Sequence, residues 1–123
     1  MSGTLRAAAV TACLAAAGLM GGCGGQSEPL PKASAERGHE LIVGNGCGSC
    51  HRIGGVERAN GDVGPSLTEF ERKPGIAGRL ANHPNEVVRW LVDPKAIDPT
   101  TLMPNLGLTP QQARDITQYL YTQ

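Results

Sequence analysis

Aromatic side chains are nearly missing from this sequence. Its 123 residues hold one Phe, one Trp and two Tyr, 3% of the chain. That length predicts one domain, and so few large rings leave it a limited core of its own. Net charge is missing too, since eleven basic residues balance eleven acidic ones. No basic patch points to nucleic acid as a partner. No apolar run is long enough for a comfortable membrane span. Internal repeats and strand–helix–strand units are not visible. Methionine is scarce as well: beyond residue 22 only Met103 occurs.

What is present begins with four cysteines, Cys13, Cys23, Cys47 and Cys50. Residues 1–22 read as a targeting segment: Arg6 gives a short positive start, Ala7 to Met20 an apolar run without acids, and Gly21-Gly22 a small-residue cleavage point. A retained anchor helix is the plainer alternative. Leu19-Met20-Gly21-Gly22-Cys23 resembles a bacterial lipoprotein signal, with Met20 where Leu is usual. That resemblance implies lipid on Cys23; cleavage elsewhere would leave an idle thiol. Residues 23–33 then form a lipid-anchored, flexible tether, and residues 34–123 the domain. Loss of residues 1–22 removes Arg6 and Cys13 and no acid, leaving ten basic residues against eleven acidic. No disulfide remains to be formed, although the compartment would permit one.

Cys47-Gly48-Ser49-Cys50-His51 has the C-x-x-C-H spacing of covalent haem attachment. Two thiols three residues apart add across the two vinyl groups of one porphyrin. The adjacent histidine comes up beneath the iron as proximal ligand. A zinc site, a redox dithiol and coincidence compete with this. A closed zinc site needs four ligands. Beyond residue 30 the candidates are Cys47, Cys50, His39, His51 and His83, with no second C-x-x-C or paired histidine. A redox dithiol of the thioredoxin kind belongs beside a strand–helix–strand unit. One covalent haem c is the expected cofactor, and its flat ring supplies apolar bulk that the chain lacks.

The domain reads as mainly helical with long loops. A first helix is predicted from Ser34 as N-cap, with Glu36 in its first turn and Gly44 and Gly46 at its end. Residues 52–82 are dense in Gly and Pro and predict a loop, with one short helical turn over 66–71. A second helix spans Pro84 to Leu91, stopped by Pro94. Another loop follows over 94–108. The last helix starts at Thr109-Pro110-Gln111-Gln112, a capping box with Pro at the first position, and Ala113, Ile116, Tyr119 and Leu120 form its apolar stripe.

An iron with one histidine ligand keeps an open face for gas or peroxide chemistry, or takes a second axial ligand for electron transfer. Met103 in Thr100-Thr101-Leu102-Met103-Pro104 is the candidate, a soft thioether beside a proline that stiffens its loop. Metal ligation is thus expected from His51 and Met103. A buried gap-filler is the other role open to Met103, and His39 and His83 are rival sixth ligands. Gly64-Pro65-Ser66-Leu67 is placed around the proximal side, with the Pro65 carbonyl accepting from Nδ1 of His51 and fixing its ring; an ordinary turn is the alternative. Trp90 and Arg79 are candidates for the haem propionates, or else plain core and plain surface.

Together these residues resemble the class I cytochrome c family over about residues 35–122. The resemblance implies an all-α fold of three to four helices with long loops wrapped around one covalently bound haem. It places the thioether cysteines on Cys47 and Cys50, the proximal ligand on His51, the G-P-x-L turn on Gly64 to Leu67 and the distal methionine on Met103. Its crossing of first and last helices, at a small residue and an aromatic, falls on Gly38 and Tyr119. Cys50-His51-Arg52-Ile53-Gly54-Gly55, Val63 to Thr68, Trp90-Leu91-x-Asp93-Pro94 and Leu102 to Thr109 are similar to the haem-bearing tail of subunit II in bacterial terminal oxidases. The copper-binding domain and membrane hairpin of that subunit are not in this sequence, so a separate protein with similar partners is expected. The implied function is that of a monomeric, non-enzymatic monohaem electron carrier. It would serve a membrane oxidase, dehydrogenase or bc-type complex from the periplasmic side of a bacterial membrane, anchored through Cys23. An accessory haem subunit of such a complex, and a haem gas sensor, are the alternatives.

Overall fold

Residues 32–123 are described by the computed structural model. The expected targeting segment, Cys23 and all but the end of the tether lie outside the described residues. The domain is built on helices α1 (Lys32–Gly44), α2 (Pro84–Val92), α3 (Pro94–Ile97) and α4 (Pro110–Leu120), with one hairpin of strands β1 (Gly75–Ile76) and β2 (Leu80–Ala81). Among the described residues no helix is long and apolar enough to cross a membrane.

α4 starts as its sequence dictates. Thr109 Oγ1 accepts from the Gln112 amide at 3.2 Å, and Gln112 Oε1 accepts from the Thr109 amide at 2.9 Å. Two orphan amides of the first turn are thus satisfied, and Pro110 has none to satisfy. Ala113, Ile116, Tyr119 and Leu120 are all buried along one face. Burial of Ile116 or Leu120 contributes roughly 1.5–3 kcal/mol each. The face packs on α1 and α2. α1 crosses it at Gly38, where an added Cβ would collide with the Asp115 carbonyl oxygen and stand 3.0 Å from Tyr119 Cβ. Only glycine lets the two backbones approach so closely.

α1 corrects one expectation. It begins at Lys32, so Ser34 lies within the helix and is not its N-cap. The Ser34 side chain is buried, and its hydroxyl accepts from Arg37 Nη2 at 3.2 Å. Arg37 also donates to Asp115 of α4 through Nε at 3.1 Å. An interhelical polar cluster has taken the hydroxyl that local capping would have used.

Two further elements stand where loop was predicted. The helical turn expected over 66–71 is a 3-10 turn at Phe70–Arg72. After it comes the hairpin, pairing Gly75 with Ala81 and Ile76 with Leu80. Its three-residue connection, Ala77-Gly78-Arg79, opens with φ of 51° and 65° at Ala77 and Gly78, the left-handed pair that suits strand twist, and the Arg79 amide closes the turn on the Ile76 carbonyl at 2.9 Å. Asn82 fastens the hairpin's end: its Nδ2 donates to the carbonyls of Phe70 at 2.8 Å and Lys73 at 2.9 Å, and its Oδ1 accepts from Tyr121 at 2.6 Å. Asp93-Pro94 ends α2 and also begins α3. Pro94 disfavours helix at Asp93 but suits a first helical position, and Asp93 Oδ1 accepts from the Ala96 amide at 3.2 Å.

Candidate functional site

One cavity of about 630 Å³ runs into the domain between the loops and the helices. The 3-10 turn Cys47–Ser49 supplies part of its wall. Gly46, at φ 67°, reverses the chain after α1. The Cys50 and His51 amides then both donate to the Cys47 carbonyl, at 3.2 and 3.0 Å. This tight turn gathers Cys47, Cys50 and His51 at the cavity. Burial pushes the Cys47 thiol above the ordinary thiol range, the opposite of the shift that activates a redox dithiol. Among the described residues no group of three or more His, Cys, Asp or Glu is placed to hold a metal ion. The described residues therefore build no closed zinc site.

The segment after the motif is laced back to it. Gly64 donates to the Cys50 carbonyl at 2.8 Å, and Leu67 to the Arg52 carbonyl at 2.8 Å. Nδ1 of His51 lies 2.8 Å from the Pro65 carbonyl oxygen. A carbonyl only accepts, so Nδ1 carries the proton and Nε2 of the neutral ring keeps a free lone pair. Gly64 lies flat against the imidazole: an added Cβ would collide with His51 Cε1 and stand 2.8 Å from Nδ1.

Met103 lines the same cavity, together with Thr101, Leu102, Pro104 and Leu106. Its amide donates to Thr101 Oγ1 at 3.2 Å, and its sulfur accepts from Trp90 Nε1 at 3.0 Å. Val87, Trp90 and Leu91 line the cavity from the buried face of α2, and Leu120 from α4. Phe70, Ile76 and the hairpin turn add further wall. His39 and His83 are elsewhere. His39 packs against Tyr119, ring centroids 5.3 Å apart and planes tilted by 59°, beside a shallower hollow that Glu36 and Glu40 also line, and His83 is the exposed N-cap of α2. Arg79 is not among the lining residues and pairs with Asp98, which is, at 3.6 Å. Asp98 is held below the usual carboxylate range, mainly by the Thr100 hydroxyl and amide, with Arg79 adding to it.

These residues fit a covalently bound porphyrin. The cavity is large and mainly apolar, two thiols and an imidazole stand together on its wall, and a thioether faces the same space. Sequence reasoning singled out those four residues. It missed the Trp90–Met103 bond, because no periodicity links positions thirteen apart, and it missed the hairpin wall, whose strands are two residues long.

Comparison with known proteins agrees. The family model described as cytochrome c matches residues 35–123. Cytochrome c oxidase subunit 2 of Alkalihalophilus pseudofirmus (strain ATCC BAA-2126 / JCM 17055 / OF4) is 30% identical over 83 residues, which is 68% of this chain and 23% of that protein. Cytochrome c oxidase subunit 2 of Bacillus sp. (strain PS3) is 29% identical over 85 residues, 66% of this chain and 24% of that one. The chain thus spans about a quarter of the length of these curated relatives. No solved structure gives a significant match.

Proposed function

Because the chain belongs to the cytochrome c family and so carries haem c covalently, we propose that it is a monohaem electron carrier with His51 and Met103 as axial ligands. One observation carries this: His51 and Met103 line a single apolar cavity that neither His39 nor His83 reaches. When bound, haem c supplies a one-electron ferric–ferrous couple. Cys47 and Cys50 would hold the porphyrin by thioethers, so the group is not lost as the iron changes charge. Pro65 fixes the tautomer of His51 and leaves Nε2 as the donor to the metal. Met103 offers a soft sulfur that favours the ferrous state over what a second histidine would give. Val87, Leu91, Phe70 and Ile76 present apolar side chains to the site and would limit the access of water to the bound group.

Val63 and Leu102 are exposed large apolar residues that border this cavity. They support brief docking of redox partners at this side, through a small interface. The partners would be a membrane oxidase, a dehydrogenase or a bc-type complex. The carrier would work as a monomer on the periplasmic side of a bacterial membrane, held by lipid on Cys23. A second reading, an accessory haem subunit within an oxidase complex, is favoured by the likeness to two oxidase subunits. Co-purification with a stoichiometric oxidase would select it.

The test of the carrier is a visible spectrum and pyridine haemochrome assay on the holoprotein, with Met103→Ala beside it. Wild type should show haem c and the weak far-red band of a sulfur–iron bond in the ferric state. The variant should lose that band and gain carbon monoxide binding in the ferrous state. Identical spectra would refute ligation by Met103.

A further inference from the structure

Asparagine followed by glycine occurs twice in the chain, at Asn45-Gly46 and at Asn60-Gly61. Such a pair is chemically labile. Asparagine is among the thermolabile residues, and a glycine after it leaves the next amide nitrogen without a Cβ to shield it. The fold treats the two pairs differently. Asn45 is half-buried just after α1, and its Nδ2 donates to the Leu41 carbonyl at 2.8 Å. Its amide donates to the same carbonyl at 2.9 Å, and the Gly46 amide donates to that of Val43 at 3.1 Å. Asn60 is exposed, and among the described residues its side chain has no partner. Backbone alone holds this second pair. The Asn60 amide donates to the Arg58 carbonyl at 3.0 Å, and the Gly61 amide to the Gly48 carbonyl at 3.1 Å.

From this contrast we infer that Asn60-Gly61 is a site of spontaneous deamidation, and that its β-linked product loosens the turn that carries Cys47 and Cys50. The Gly61 amide gives its proton to hydroxide, and its nitrogen bonds to Cγ of Asn60. The side-chain nitrogen takes a proton from water and leaves as ammonia, and a succinimide remains. Water then opens the ring at one of its two carbonyls, giving aspartate or isoaspartate at position 60. The balance is one water consumed and one ammonia released, with no change of oxidation state. Isoaspartate carries the main chain through the side chain and so lengthens it between residue 60 and Gly61. The structure has no room for that length. A Cβ on Gly61 would collide with the Ser49 carbonyl and the Cys50 backbone, and one on Gly48 would stand 2.8 Å from Ala59 Cβ. Residues 48–50 and 59–61 are thus in direct backbone contact. Gly61 cannot shift without giving up its bond to Gly48 or displacing the turn of the C-x-x-C-H motif. Ordinary aspartate at position 60 leaves the backbone as it is.

The test is peptide mapping by mass spectrometry on full-length holoprotein held at mildly alkaline pH, both native and in guanidinium. Each native rate is divided by the rate of the same pair in denaturant, where the fold protects neither. On that scale Asn60 should convert at least about threefold faster than Asn45, the weight of the further hydrogen bond that holds the Asn45 side chain. Equal rates overturn the inference, and so does an Asn60 that keeps its amide while the denatured chain loses it. Asn60→Gln must close a larger ring to react, and position 60 should then stay amide over the same period. Conversion there at the wild-type rate overturns the mechanism. The second half is read by denaturant unfolding of the purified β-linked form beside Asn60→Asp, which has the same charge on an ordinary backbone. The β-linked form should unfold at the lower denaturant concentration. Equal midpoints overturn the loosening of the haem-attachment turn.

Discussion

A neutral imidazole has one nitrogen that donates and one that accepts, and at His51 the division is made by Pro65. The glycine beside it matters as much. A Cβ on Gly64 would occupy the position of the imidazole edge, and the ring cannot retreat without leaving the Pro65 carbonyl. Gly64→Ala should therefore lower the yield of haem-loaded protein and destabilise what forms by about 1–3 kcal/mol, the usual cost of overpacking. Denaturant unfolding followed by haem absorbance measures both. Gly44→Ala is the control: a Cβ there meets nothing within 4 Å, and its midpoint should hardly move. At this scale the sequence was highly legible. Cys47, Cys50 and His51 sit within five residues, so their spacing alone implies a shared turn. Met103 was legible by scarcity, as no other methionine follows residue 22. The sulfur's partner was not legible, because hydrogen bonds between separate elements leave no spacing to read.

Among the elements, those with strong local chemistry were the readable ones. Thr109, Pro110 and Gln112 specify the start of α4 by themselves, and the structure shows both reciprocal bonds. Thr109→Ala should cost about 1 kcal/mol, seen as a lower denaturation midpoint. α3 was hidden because Pro94 was taken only as a stop, whereas Asp93 can end one helix and cap another. The hairpin was hidden because Gly75 and Gly78 look like loop, and two-residue strands show no alternation. That hairpin also carries a local misfit. Ala77 holds φ 51°, where an L residue with a Cβ loses about 1–2 kcal/mol. Asparagine tolerates this region and is favoured before glycine in such turns. Ala77→Asn should raise unfolding stability by about 0.5–1 kcal/mol and leave the visible spectrum as it is. A fall in midpoint would mean that the turn is not under strain.

For the molecule as a whole, the contact of α1 with α4 ties the start of the described chain to its end. Gly38 and Tyr119 at the crossing were expected from family resemblance, and the close approach explains both. The charge buried there was not foreseen, since position 115 follows a basic residue and falls in an otherwise polar stretch. Asp115 is 4% exposed. Its carboxylate accepts from Arg37 at 3.1 and 3.4 Å and from Gln111 at 3.2 Å. Burial works to raise its pKa, but the bonds from Arg37, Gln111 and Ser34 outweigh burial and hold it below the usual carboxylate range. A carboxylate depressed on folding stabilises fully above its unfolded pKa, near ~3.9, and that stabilisation is lost as pH falls through the folded value. Asp115→Asn keeps the shape and one accepting oxygen but removes the charge. Thermal unfolding of the two holoproteins should differ by a few degrees at neutral pH. The gap should stay constant down to about pH 4 and close below it, as wild type takes up the proton that makes its side chain neutral too. Comparing the two proteins at each pH cancels what acid does to His51 and to the other carboxylates. A gap of the same size throughout would assign the loss to the shape of the interface, and not to the charge that α1 and α4 share across it.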